Sequence, residues 1–93
     1  MPTLKELVND PNTFIVDVRS GWEFESGHVK GAKNIPLEEI PQRLDEFKDQ
    51  TFPIVLYCRS GGRSGMALNF LQQQGVQNLY NGGGLSDMMM LTL

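Results

Sequence analysis

The sequence predicts an α/β fold with a small, open, mainly parallel β-sheet flanked by helices on both faces. Short β-branched runs alternate with helical segments along the chain, which is the order expected when helices connect parallel strands. The strongest strand, FPIVLYC at 52–58, is nearly all apolar, as a strand covered on both faces should be. A length of 93 residues suits one such domain, which we place at 1–93.

The first half of the chain predicts short elements separated by turns. Leu4, Leu7 and Val8 have the spacing of a helix, and Asp10 begins the break that follows. A β-rich run then ends near Asp17 and is typical of a buried strand. In order, we predict a helix within 2–10, a strand at 13–18, one helical turn at 22–25 and a short strand at 32–35.

The second half predicts longer elements. LEEIPQRLDEF at 37–47 repeats apolar residues at helical spacing, so we expect one amphipathic helix, which can accommodate Pro41 if that residue falls in the first turn. The central strand ends at Cys58, and the helix after it stops at Gly75. That helix, at 63–74, should bury Met66, Ala67, Phe70 and Leu71. A strand at 78–81, a glycine turn at 82–84 and a helix at 85–93, with Met88–Met90 packed in the core, complete the prediction.

Composition excludes several classes of function. A net charge of −3 argues against nucleic-acid binding, because neutralising phosphates needs clustered Lys and Arg. The longest apolar runs, such as IVLY and MMML, are too short to span a membrane. A lone cysteine forms no intramolecular disulfide, so we expect the cytoplasm. Cys58 with His28, the single histidine, gives no plausible zinc set. We therefore predict no metal and no cofactor.

The segment YCRSGGRSG at 57–65 places the single thiol before a glycine-rich, basic loop. In parallel sheets the functional site lies where the strands end and the next helices begin. Glycines at 61, 62 and 65 allow successive N–H groups to point inward and form an anion-binding nest. These donors also stabilise a thiolate, so the pKa of Cys58 should lie below its usual value of about 8.5.

The alternative interpretation is that Cys58 is a small buried hydrophobic residue, which most lone cytosolic cysteines are. The order of strand, cysteine, glycine-rich loop and helix favours a nucleophile instead. Arg59 and Arg63 would likewise be solvated surface charges in the alternative view. That view is weaker for Arg63, because it opens the helix and can face the loop.

The chain resembles a single-domain rhodanese, a sulfurtransferase. FIVDVRSGWEFESGHVKGAKNIP at 14–36 is similar to the signature that precedes the active site in this family, with Val29 in place of isoleucine. YCRSGGRS at 57–64 resembles the active-site loop, and NLYNGGG at 78–84 the closing segment. The similarity spans residues 4 to 87. It departs at Gly62, where asparagine is frequent, and at Gly84 and Leu85, where aromatic residues often stand.

The resemblance implies a role for each residue of the loop. Cys58 would accept a sulfur atom and become a persulfide, and Arg59 would attract an anionic donor such as thiosulfate. Arg63 would brace the loop through hydrogen bonds to carbonyls or to Asp17. His28 and Arg19 would be structural. The backbone N–H groups that would cradle the outer sulfur belong to Arg59, Ser60, Gly61, Gly62, Arg63 and Ser64.

The resemblance also implies a cycle with two partners. The acceptor would be cyanide or a thiol, including a thioredoxin-like or sulfur-carrier protein, and the protein would act as a monomer. Because the chain has no second cysteine to resolve the persulfide, reductant must come from elsewhere.

Two rival functions remain open at the level of sequence. Phosphatases of the same fold class form a phosphocysteine, but their loop has five residues between cysteine and arginine, whereas four separate Cys58 from Arg63. No Asp or His follows as an obvious acid for the leaving group. The other rival is a non-enzymatic docking module of the same fold. Inactive copies usually lose the cysteine or the loop glycines, and both are present here.

Overall fold

The computed structural model describes residues 2–93 and contains one open sheet of four parallel strands in the order β2, β1, β3, β4. The fold is therefore α/β with an open parallel sheet, as the sequence predicts. The strands are β1 Phe14–Asp17, β2 Lys33–Asn34, β3 Ile54–Cys58 and β4 Leu79–Gly84. The helices are α1 Leu4–Asn9, α2 Gly21–Glu25, α3 Leu44–Lys48, α4 Gly62–Gln73 and α5 Leu85–Leu91, with a 3₁₀ helix at Leu37–Arg43.

The central strand β3 is buried along its whole length and divides the core into two halves. Alternate side chains of a strand point to opposite faces, so Leu56 and Cys58 lie in one cluster while Val55 and Tyr57 lie in the other. The first cluster also contains Phe47 and residues of α4, and the second contains residues of α1 and α5. Helices thus cover both faces, and the last residue of β3 enters the core beside α4.

Strand β4 is longer than the sequence predicts, because the glycines that we expected to form a turn continue it to Gly84. Leu56 lies opposite Asn81, but Tyr57 lies opposite Gly83, so Gly82 is an extra residue on β4. Such a β-bulge bends a strand and redirects its side chains. The bulge is next to the carboxyl end of β3, where the predicted site lies.

The predicted helix at 37–47 is wrong as a single α-helix. Its first half is the 3₁₀ helix, which contains Pro41, and only its second half is α-helical. Proline lacks the N–H of the α-helical hydrogen bond and its ring clashes with the preceding turn, whereas a short 3₁₀ segment accommodates it. The expected apolar face is nevertheless formed, since Ile40 and Phe47 are buried.

Predicted burial in the last two helices is partly wrong. Ala67, Leu71 and Met88 are fully buried, but Met66, Met89 and Met90 are 63%, 52% and 84% exposed. Both helices are covered on one side only, so neighbouring apolar residues cannot all face the sheet. Within residues 2–93, no helix is long and apolar enough to cross a membrane.

Candidate active site

The thiol of Cys58 lies at the carboxyl end of the central strand, and the residue is only 1% exposed. Its neighbours in the core include Ala67 and Leu71 of α4. A thiol in such a place is a poor nucleophile unless polar groups stabilise its charge, because burial disfavours the ionised form. The loop that follows provides those polar groups.

Residues 59–64 fold back over the sulfur atom. The backbone N–H of Gly61 donates to Cys58 Sγ at 3.0 Å, and that of Ser64 donates at 3.4 Å. The Ser64 hydroxyl oxygen lies 3.5 Å from the same sulfur. Gly61 has a φ of +101° at the residue before α4, a conformation that glycine adopts without strain. Two backbone N–H groups of the loop therefore donate to Sγ.

These contacts change the acidity of the thiol. Burial by itself raises the pKa of Cys58, but the Ser64 hydroxyl and the backbone groups of Ser64, Ser60 and Gly61 outweigh it and lower the pKa to about 7. A large fraction of the thiol is then ionised at neutral pH without a histidine base. The effect comes from hydrogen bonds to sulfur, which favour the charged form.

Two further N–H groups near Cys58 lie in the first turn of α4. Gly62 and Arg63 form the first turn of α4, where backbone N–H groups have no acceptor within the helix. The hydrogen bonds of residues 2–93 give neither group another partner. A helix N-terminus of this kind attracts negative charge. The loop can therefore hold an anionic group attached to Cys58.

The expected partner of Arg63 is wrong. Arg63 does not bond to Asp17; its guanidinium donates to the Glu23 carboxylate at 2.8 and 3.1 Å. Glu23 also accepts from the backbone and hydroxyl of Ser20, and hydrogen bonding from Arg63 lowers the pKa of Glu23 to about 2. Glu23 was not among the site residues predicted from the sequence. The pattern Ser20-x-x-Glu23 is a helix-capping signal, but it gives no indication of the bond to Arg63.

Asp17 instead forms a buried pair with Arg19. The shortest contact, from Arg19 Nη2 to Asp17 Oδ2, is 2.7 Å, and both side chains are almost fully buried. Arg19 also donates to the Gly27 carbonyl and lies 5.9 Å from the centre of the Tyr57 ring. Asp17 therefore joins β1 to the loop after α2. Because the Asp17 carboxylate bonds to Arg19, it is not available to Arg63.

Asn81 of β4 is a second site residue that was not predicted from the sequence. Its Oδ1 accepts from the Ser64 hydroxyl at 2.8 Å and from the Gly83 N–H at 2.9 Å, while its Nδ2 donates to the Gly61 carbonyl at 3.3 Å. It thus joins the loop, α4 and the bulged strand. The sequence does contain one indication of this role, since Asn81 precedes three glycines at the end of a strand. Asparagine favours irregular backbone, and its side chain accepts hydrogen bonds from nearby backbone N–H groups.

Gly84 packs directly against the backbone of the loop. A Cβ atom at this position would lie 2.4 Å from the Arg59 carbonyl oxygen, far inside a normal contact. The end of β4 therefore supports the loop from below. This close approach leaves no room for a side chain at position 84.

The other predicted residues lie on the outer side of the loop. Arg59 and Ser60 are exposed. Arg59 lines an open depression whose other lining residues include Trp22, which is 74% exposed, and Leu85. The structure thus places the guanidinium of Arg59 beside the site and exposed to solvent.

His28 lies outside this cluster. It is exposed, its ring stacks on Phe24 at a centroid distance of 3.7 Å, and its Nδ1 is 2.8 Å from the Phe24 carbonyl oxygen. Among residues 2–93, no three His, Cys, Asp or Glu side chains are arranged to hold a metal ion.

Comparisons with known proteins point to one family. The rhodanese-like domain family matches residues 1–88. The chain is 43% identical over 67 residues to the uncharacterized protein YqhL of Bacillus subtilis, covering 72% of this chain and 52% of that protein. It is 37% identical over 76 residues to the thiosulfate sulfurtransferase PspE of Escherichia coli, covering 81% of this chain and 73% of PspE. The chain thus spans about half of YqhL and about three quarters of PspE.

Other relatives show how widely the domain is used. The chain is 35% identical over 83 residues to a tRNA uridine(34) hydroxylase of Hamiltonella defensa, but it covers only 23% of that protein and 84% of itself. Among solved structures, a rhodanese with anions from E. coli has a TM-score of 0.74 at 36% identity, with 81% of this chain and 89% of that chain covered. A family match over nearly the whole chain agrees with the parallel sheet and the cysteine loop, and the chain belongs to the rhodanese family.

Proposed function

We propose that this protein is a sulfurtransferase that carries sulfane sulfur from an anionic donor, such as thiosulfate, to a thiol or cyanide through a persulfide on Cys58. One observation carries the proposal. The loop directs the N–H groups of Gly61 and Ser64 to Cys58 Sγ at 3.0 and 3.4 Å, and the N-terminus of α4 begins within the same loop at Gly62. This arrangement favours a thiolate first and an anionic sulfur atom bonded to it afterwards.

In the first half-reaction, the Cys58 thiolate attacks the outer sulfur of thiosulfate. A new S–S bond forms, the S–S bond of thiosulfate breaks, and sulfite leaves with the electron pair of that bond. The protein is left as Cys58–S–S⁻, with the negative charge on the outer sulfur. The pKa of about 7 for the Cys58 thiol keeps enough thiolate at neutral pH for the attack.

The outer sulfur then occupies the mouth of the nest. The N–H groups of Gly62 and Arg63 are its donors, and the α4 N-terminus adds partial positive charge. Glu23 fixes the Arg63 side chain and so neutralises much of its charge. Backbone groups, rather than the Arg63 guanidinium, therefore hold the persulfide.

Arg59 is the residue that meets the incoming donor. It is exposed, it follows the nucleophile directly, and it lines the depression beside the loop. Within residues 2–93 its guanidinium forms no ion pair. A free cation at the entrance raises the local concentration of a small dianion.

In the second half-reaction an acceptor removes the outer sulfur. Cyanide attacks it to give thiocyanate and regenerates the Cys58 thiolate, whereas a protein thiolate would become a persulfide in turn. The similarity to PspE, which is named a thiosulfate sulfurtransferase, supports thiosulfate as a donor for this protein. Thioredoxin-like and sulfur-carrier proteins are the acceptor classes we propose, since the one cysteine of the chain cannot resolve its own persulfide.

The decisive experiment is thiocyanate formation from thiosulfate and cyanide by the wild type and by Cys58→Ser. We expect turnover with ping-pong kinetics for the wild type and none above background for the variant. A persulfide adduct of one sulfur atom, detected by intact mass after thiosulfate alone, would confirm the intermediate. Equal rates for both proteins would exclude catalysis through Cys58, and rapid hydrolysis of an aryl phosphate would favour the phosphatase alternative.

A further inference from the structure

The hydroxyl group of Ser64 has one proton and three acceptors within reach. Its oxygen lies 2.8 Å from Asn81 Oδ1, 3.1 Å from the Gly61 carbonyl oxygen and 3.5 Å from Cys58 Sγ. Ser64 is fully buried, so no bulk water replaces a bond that the hydroxyl gives up. The proton can satisfy only one acceptor at a time.

The orientation of the Asn81 amide is fixed by its surroundings. Gly83 N–H is a donor and approaches Oδ1 at 2.9 Å, while the Gly61 carbonyl is an acceptor and approaches Nδ2. The oxygen of Asn81 therefore faces Ser64. Two oxygen atoms 2.8 Å apart need a proton between them, and only Ser64 can supply it.

The position of that proton depends on the state of Cys58. When Cys58 is a thiol, its S–H can donate to Ser64, and the Ser64 hydroxyl donates to Asn81. When Cys58 is a thiolate, sulfur needs donors, and the Ser64 proton turns to Sγ at the expense of Asn81. When Sγ carries a second sulfur, the negative charge lies on the outer atom, and the Ser64 proton returns to Asn81.

We propose that Asn81 is a positioning residue that acts through Ser64, competing with Cys58 Sγ for the hydroxyl proton and thereby favouring sulfur-loaded Cys58 over the free thiolate. The inference rests on the proposed function. It assigns Asn81 a role in sulfur retention, because the Ser64 to Asn81 hydrogen bond is intact in the loaded state and lost in the free thiolate. Asn81 touches neither the donor nor the reacting sulfur atoms.

The step on which Asn81 acts is reversible and balanced. Thiosulfate and the Cys58 thiolate give the Cys58 persulfide anion and sulfite, and sulfite attacking the outer sulfur restores both reactants. No oxidant or reductant is needed in either direction. The equilibrium constant of this exchange measures how well the site holds sulfur.

Arg59, which follows Cys58 in the chain, is exposed and forms no ion pair within residues 2–93. The other charged groups near Cys58 are fixed by partners. Arg63 of α4 is paired with Glu23 of α2, and Asp17 of β1 is paired with Arg19. Asp87 lies in the first turn of α5, and its carboxylate accepts from the N–H of Gly84, the last residue of β4, at 3.0 Å. These groups are the same in wild type and Asn81 variants, so a change on substitution does not arise from them.

The test measures alkylation of Cys58 by iodoacetamide against pH for the wild type and Asn81→Ala. Since Asn81 competes for the proton that stabilises the thiolate, the midpoint should fall by about half a unit to one unit in the variant. If Asn81 only supported the loop, its loss would raise the midpoint instead, because a loosened loop would lose hydrogen-bond donors to sulfur. A rise, or no change, would overturn the proposal.

A double-mutant cycle separates action through Ser64 from other effects of the substitution. In a Ser64→Ala background, Asn81→Ala should leave the alkylation midpoint unchanged, since the shared proton is gone. The same fall with and without the hydroxyl would show that Asn81 acts by another route and would refute the inference. Asn81 is exposed, so its truncation should leave the fold intact, and melting curves of all four proteins verify this.

Sulfite titration of the loaded protein provides the readout specific to sulfur. Asn81→Ala persulfide should be discharged at a sulfite concentration about threefold to tenfold lower than the wild type requires. Equal concentrations would contradict a role in retention. If the wild type forms no persulfide with thiosulfate, the proposed function fails by that result alone, and the alkylation cycle still decides whether Asn81 controls the Ser64 proton.

Discussion

Glu23 and Arg63 lie 40 residues apart in the chain and are joined by two hydrogen bonds of 2.8 and 3.1 Å. The Glu23 side chain is 13% exposed and that of Arg63 is 37% exposed. The pair ties the short helix α2 to the first turn of α4. The short helix that follows β1 therefore holds the active-site loop in place.

Glu23→Gln should lower kcat for every sulfur donor and reduce the melting temperature. The amide keeps the size of the side chain but loses the charge-assisted bonds to Arg63, which are stronger than neutral ones. Steady-state kinetics and thermal melting measure both effects. Glu25→Gln, on the exposed side of the same helix, is the control and should behave as the wild type. Equal behaviour of the two variants would show that the pair does not brace the loop.

The same pair should make stability depend on pH in acid. The pKa of Glu23 is about 2 in the folded protein, below its usual value of 4.5, so the folded state binds this proton less readily than the unfolded state. Its contribution is therefore complete above pH 4.5 and is lost as the pH falls toward 2. The difference in melting temperature between the wild type and Glu23→Gln should shrink over this interval. A difference that stays constant would exclude the ion pair as its origin.

The two arginines of the loop should have different kinetic effects. Arg59→Ala should raise the thiosulfate KM about tenfold with little change in kcat, because an exposed charge pair is worth little more than about 1 kcal/mol. Arg63→Ala should lower kcat for all donors and reduce stability, since Arg63 is tied to Glu23. Kinetics with an anionic and an uncharged donor, together with melting, distinguish them. Matching profiles for the two variants would mean that these roles are wrongly assigned.

The thiol of Cys58 should react as a thiolate near neutral pH. Hydrogen bonds from the loop overcome burial and lower its pKa to about 7, so the rate of alkylation should rise with a midpoint there. Ser64→Ala removes the hydroxyl beside sulfur and should shift the midpoint upward. A wild-type midpoint at or above the ordinary value of about 8.5 would contradict the stabilisation of the thiolate by the loop.

Gly84→Ala should destabilise the protein and slow sulfur transfer. The new methyl group would lie 2.4 Å from the Arg59 carbonyl oxygen, and a backbone atom must move to admit it, at a cost of about 1–3 kcal/mol. Gly21→Ala is the matched control, because its methyl group meets only Asn34 Oδ1 at 3.8 Å, an ordinary contact. Melting temperatures and kcat of the two variants test this. A stable and active Gly84→Ala protein would show that the loop can move away.

The order of strands and helices followed from local signals in the sequence. The apolar run that ends at Cys58 and the glycines after it predicted both the central strand and the loop around sulfur, because each depends on neighbouring residues. Pro41 lies in a helical segment, but its ring clashes with the preceding turn of an α-helix, and the segment is a 3₁₀ helix. Element boundaries depend on such details of single residues.

The side-chain pairs were not predictable in the same way. Asp17 and Glu23 were both acids near a strand end or helix start, and the choice between them as partner of Arg63 depends on the positions of three elements. Asp17 is not the partner of Arg63, because its carboxylate is paired with Arg19, two residues later in the chain. Asn81 depended on the bulge that directs it to Ser64. These contacts follow from tertiary packing, for which the sequence has no local pattern.

The bulge at Gly82 also means that the three glycines of β4 are not equivalent copies of one residue. Asn81 pairs with Leu56, and Gly84 pairs with Cys58, so three steps along β4 match two steps along β3. Removing any one glycine would bring these counts into agreement and straighten the strand. The segment between Asn81 and the start of α5 would then be one residue shorter. Either Asn81 would lose its contact with Ser64, or the end of β4 would lose its contact with Arg59. The run is thus sensitive to its length, although its composition looks repetitive.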